Sequence, residues 1–101
     1  MSGYRSGSKW NDLNELRCLL AFKQLQEKGF PRNLLTELAE GVAKISGLDV
    51  GSVKAKIGNY KSVAGVTGHS NASLNTISIY NKYGQFSVAK LQELVVSGKS
   101  F

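Results

Sequence analysis

A lone cysteine, Cys18, has no partner for an internal disulfide, and a lone histidine, His69, rules out any site built on two imidazoles, a His-Asn-His nuclease centre among them. The same two shortages remove the soft ligand sets that hold structural zinc, so neither metal nor cofactor is expected. Phosphate-cradling loops are missing as well. The 11 glycines never fall into a strand-Gly-x-Gly-x-x-Gly-helix arrangement or a Gly-x-x-x-x-Gly-Lys-Ser/Thr run. No apolar run approaches the length of a membrane span, and residues 1–9 lack the apolar centre of a secretory signal. These absences fit a reducing, cytoplasmic setting.

Acidic residues are absent from one long stretch. None lies between Asp49 and Glu93, whereas Lys54, Lys56, Lys61, Lys82 and Lys90 all fall there. Residues 1–49 hold seven basic and six acidic side chains, so nearly all of the net charge of +6 belongs to the second half. That balance favours a polyanionic partner. A catalytic triad would need an acid and a nucleophile near His69, and the acid-free stretch around it points to a protein without catalytic machinery.

What is present reads as a folded domain: 42% apolar and 20% charged residues over 101 positions, enough for one core. Residues 1–9 carry three serines, two glycines, Arg5 and Lys9, and read as a flexible basic arm. A helical domain follows over 10–96, with a frayed tail at 97–101. The first helix is expected from Asn11 or Asp12 to Lys28, with Gly29 as its stop. Leu13, Leu16 and Leu20 face one way and Cys18, Phe22 and Leu25 the other, so this helix should be covered on two sides. Cys18 reads as a packed core thiol.

A second helix opens at Arg32 or Asn33, carries Leu34, Leu35, Leu38, Val42 and Ile45 on one face, and ends at Gly47. Gly41 inside it marks either close packing or a weak point. A third helix, capped by Asp49 or Ser52, presents Val53, Ile57, Tyr60 and Ala64 to the core. Lys54, Gly58 and Lys61 lie on another face, flanked by Ala55, Asn59 and Ser62, and Lys56 near the edge of the apolar face is placed to snorkel. Gly65 to Asn71 forms a loop. Leu74 to Tyr83 alternates like a strand at Ile77 and Ile79, yet Leu74, Ile77 and Tyr80 suit a helix, which is preferred for want of a partner strand. Ser87 caps a last helix with Val88, Leu91, Leu94 and Val95 on its stripe. The expected fold is mainly α, a compact bundle of four or five short helices in a single domain.

Lysines beside neutral hydrogen-bonding groups are the mixture that meets DNA backbone and base edges. Three segments also resemble the helical domain that precedes the nuclease domain in some bacterial HNH endonucleases: Trp10-Asn-Asp-Leu-Asn-Glu-Leu16, Ser52-Val-Lys-Ala-Lys-Ile-Gly-Asn-Tyr60, and Gly68-His-Ser-Asn-Ala-Ser73 followed by Ile79-Tyr-Asn-Lys-Tyr83. The resemblance spans Trp10 to Leu94 and implies a DNA-engaging module, with Ser52, Lys54, Lys56, Asn59 and Lys61, joined by His69, Ser70 and Asn71, near the nucleic acid. Ser62 joins that set by its place on the third helix. The chain ends where the nuclease domain would begin, so the resemblance implies a DNA binder, an accessory subunit or a competitor of a full-length enzyme, linked to restriction or mobile elements. The alternative is a protein-interaction adaptor or inhibitor that sets its basic face on an acidic partner. RNA is a third partner class, without an aromatic-rich strand motif to support it.

Overall fold

A computed structural model describes residues 9–66 and 73–97, so the expected basic arm and loop tip, with His69, Ser70 and Asn71, and most of the tail lie outside the described residues. Among the described residues there are five helices: α1 (Asp12–Lys28), α2 (Arg32–Ser46), α3 (Val50–Val63), α4 (Leu74–Tyr83) and α5 (Val88–Ser97). No strand occurs among the described residues. The ambiguous fourth segment is therefore helical, but in a different phase: Thr76, Ile79 and Tyr83 face inward, while Leu74 is 84% exposed.

Local chemistry sets most of the helix ends. The Asn11 side chain accepts from the Asn14 amide at 2.8 Å and starts α1. Ser73 caps α4 through the Thr76 amide, and Ser87 caps α5 through the Lys90 amide. At its other end α1 closes in a Schellman turn, in which the amides of Gly29 and Phe30 donate to the carbonyls of Gln26 and Leu25. Gly29 supplies the left-handed φ of 79° that this turn requires. Lys9 belongs to the folded body, since its ammonium donates to the Gly47 carbonyl and its own carbonyl accepts from Asn14. Ser97 is the last residue of α5.

α1 is the central element, in contact with each of the other four helices. Leu16, Cys18, Leu19, Ala21, Phe22 and Leu25 are buried on it, which matches an apolar pattern on two sides. From α3 come Val53, Ile57 and Tyr60, and from α5 Leu91. α2 packs differently from its sequence pattern. Only Ala39 is buried, and Ile45, at the end of the apolar stripe, is 67% exposed. A small residue at the crossing lets α2 approach the bundle, and its leucines then cover the flanks only in part.

Gly41 resolves into a weak point, because a Cβ built there meets nothing within 4 Å. Gly41→Ala is expected to raise stability by about 0.5–1 kcal/mol, read from the urea midpoint, since alanine removes backbone freedom from the unfolded chain without a clash. Gly84 is the opposite case: a Cβ there would stand 2.5 Å from the Tyr80 carbonyl oxygen, which only glycine avoids.

Burial pushes the Cys18 thiol up to about 12, with the nearby Glu15 carboxylate adding to the effect. A folded-state value above the ordinary 9.0 means that the contribution to stability is whole below pH 9 and is lost as pH rises toward 12. Thiol-reactive reagents at pH 8 are expected to label Cys18 only through unfolding. Labelling of the native protein at the rate seen in denaturant would contradict this.

Candidate nucleic-acid interface

The lysines of the acid-free stretch do not form one surface. On α3, successive residues advance about 100°, so Lys54 and Lys61 share one flank while Lys56 lies on the far side. Lys56 turns inward. Its ammonium donates to Glu15 Oε2 at 2.9 Å and to Thr76 Oγ1 at 2.8 Å, and it lies 4.5 Å from the Trp10 ring centroid. Only 11% of the Lys56 side chain is exposed and 1% of that of Glu15. Tyr60 completes the cluster by donating to Glu15 Oε1 at 2.6 Å. The stretch is acid-free along the chain but not in space, and Lys56 leaves the surface set because a carboxylate from α1 satisfies it. Lys56 therefore does not snorkel: its ammonium is held inside by Glu15 and Thr76 and does not extend to water.

Ser52 is also engaged locally. Its hydroxyl donates to Asp49 Oδ2 at 2.6 Å while its amide donates to the same carboxylate, capping α3. Those bonds hold the Asp49 carboxyl below its ordinary range, the hydroxyl contributing most. The Asp49 cap thus sets a negative charge just ahead of α3, while the helix itself, Val50–Val63, carries no carboxylate. Asn59 sits partly exposed on the flank near Ser52, away from Lys54 and Lys61. Ser62 is partly exposed, and its hydroxyl donates back to the Gly58 carbonyl at 3.3 Å.

Lys54 and Lys61 open onto a cleft of about 290 Å³ where the end of α1, the start of α2 and the outer flank of α3 meet. Leu25, Phe30, Leu35 and Ile57 form its apolar walls, and Arg32 joins the two lysines as a third cation. Gly58 leaves one side open, since a Cβ there would meet nothing within 4 Å. Among the described residues, no carboxylate belongs to the lining. Arg32 is the first residue of α2, whose N-terminus has no side-chain cap. A cation there opposes the helix dipole at a cost of a few tenths of a kcal/mol or more.

Phe30 is the residue that the sequence did not single out. It is the one described non-glycine residue with positive φ, at 60°. Its ring packs against Phe22 at a centroid distance of 5.9 Å, and the Lys61 ammonium sits 4.5 Å above it. A non-glycine side chain in the left-handed region costs of order 1 kcal/mol or more. The amide bond to Leu25 and the packing on Phe22 hold it there. Arg32 and Phe30 carry no distinguishing signal in the linear pattern, because only the α1–α2 turn brings them beside α3.

A second groove, of about 230 Å³, runs over Leu20, Leu38, Val42 and Val95 beside the exposed Ile45. Among the described residues no three His, Cys, Asp or Glu side chains gather where they could hold a metal ion, and no helix is long and apolar enough to cross a membrane. Comparison with known proteins finds no family model, no curated protein and no solved structure that matches this chain.

Proposed function

We propose that this chain is a non-catalytic DNA-binding module or accessory protein of the cytoplasm, connected with restriction or mobile-element systems. The observation that carries the reading is the gathering of Arg32, Lys54 and Lys61 around one cleft with no carboxylate among the described residues of its lining. Three cations from two helices are fixed at a common edge, where each phosphate they neutralise releases counterions. His69, Ser70 and Asn71 follow α3 along the chain and stay within the proposed contact region. Ser52 and Lys56 do not, since their polar groups are bound to Asp49 and Glu15. The resemblance to HNH-associated helical domains supports the same partner class.

The test is NMR shift mapping of the full chain with a short duplex at low salt. Perturbations centred on Arg32, Lys54, Gly58 and Lys61 are expected, and a spectrum unchanged at saturating duplex would sink the proposal.

A protein-interaction adaptor is the second reading. It is favoured by the exposed Ile45 beside the second groove, an apolar surface that DNA has no use for. Recovery of the main partner after nuclease treatment would decide for it.

A further inference from the structure

We infer that the cleft between Phe30, Ile57 and Gly58 receives a single unpaired base of a DNA strand while Arg32, Lys54 and Lys61 hold the phosphates on either side. This rests on the DNA-binding reading and specifies the form of DNA.

Phosphate contacts need only cations on an open surface. Here the cations instead ring an apolar recess with an aromatic wall. A ligand that satisfies both parts has a flat, weakly polar body joined to negative charge on two sides, which describes one nucleotide within a strand. At about 290 Å³ the recess lies at the lower end of ligand-pocket sizes, room for one ring system and not for a stacked pair. Bases inside a duplex enter a recess only by unstacking and unpairing, at a cost in free energy, so a single strand, a gap or a frayed end supplies the base most readily.

Two details of the cleft fit this occupant. Lys61 covers the Phe30 ring. Its flexible stem allows the ammonium to leave the ring for a phosphate as a base takes its place on the ring face, so one cation–π contact is exchanged for a charge pair and a stacked ring. Gly58 leaves the space beside that ring open, where any larger residue on α3 would project.

The test compares the full chain binding a short labelled DNA strand and the blunt duplex of the same sequence, by fluorescence anisotropy at equal phosphate concentration. The strand is expected to bind about 5-fold tighter or more, the scale of one base–aromatic stack. Phe30→Leu, which keeps an apolar contact for Phe22, should remove most of that preference and leave duplex affinity unchanged. Gly58→Leu fills the cleft from open space on an exposed helix position, so it is expected to melt no lower than the wild type and lose the preference as well. Equal affinity for strand and duplex, or full strand preference in both variants, would overturn the base site while leaving the DNA reading intact. Thymidine monophosphate binding as tightly as the strand would also overturn it, by assigning the cleft to a free nucleotide. Binding to neither strand nor duplex would remove the DNA reading itself.

Discussion

Glu15→Ala is expected to destabilise the protein by about 3–5 kcal/mol, the usual cost of removing one partner from a buried ion pair. The Lys56 ammonium would keep Thr76 but lose its counter-charge, and the Tyr60 hydroxyl would lose its carboxylate acceptor at 2.6 Å and keep only the longer bond to the residue 15 carbonyl. A domain of this size holds on the order of 5–15 kcal/mol in all, so a loss of this kind leaves it marginal at 25 °C. Urea unfolding followed by far-UV circular dichroism measures the change. The pair itself adds little over a well-packed apolar substitute, so Glu15→Leu combined with Lys56→Met is expected to recover most of the loss. A single-variant cost below about 1 kcal/mol, the range of exposed pairs, would show that water reaches the cluster.

The second large effect concerns binding. Lys54→Ala with Lys61→Ala is expected to cut duplex affinity on the order of 60-fold at 0.1 M salt, because each lost phosphate contact removes about 0.9 from the slope of log K against log salt. The slope itself should fall by about two, and the deficit should shrink toward 1 M salt. Anisotropy titrations at several salt concentrations separate this from misfolding, which would abolish binding at every salt level. Both side chains lie at the partly exposed edge of the cleft, so thermal stability should change little. An unchanged slope would remove α3 from the interface.

The helices were legible because their signals are local. Asn11, Gly29, Asp49 and Ser87 each act within a few residues, and the apolar residues of α1 and α3 repeat at helical spacing. The phase of α4 was not, because Thr76 outranks Leu74 for burial only when the Glu15 carboxylate stands opposite it. The burial of Lys56 was not legible for the same reason: nothing within α3 shows that its partner lies 41 positions earlier. Lys54, Gly58 and Lys61 were legible as a stripe. That the stripe borders a recess was not, since Phe30 and Arg32 reach it through the α1–α2 turn. Charge counted along the chain therefore overstated how many of the α3 lysines meet solvent.

Trp10 is the chain's single tryptophan, and its ring lies beside Lys56 on the side of α3 away from the cleft. Indole emission is thus a private optical channel for the seam joining α1, α3 and α4. Loss of that seam changes the signal, whereas a ligand at Phe30 has no indole within reach. Folding and occupancy can be followed in one cuvette as two independent colours, the first from the protein's own light and the second from a label on the DNA.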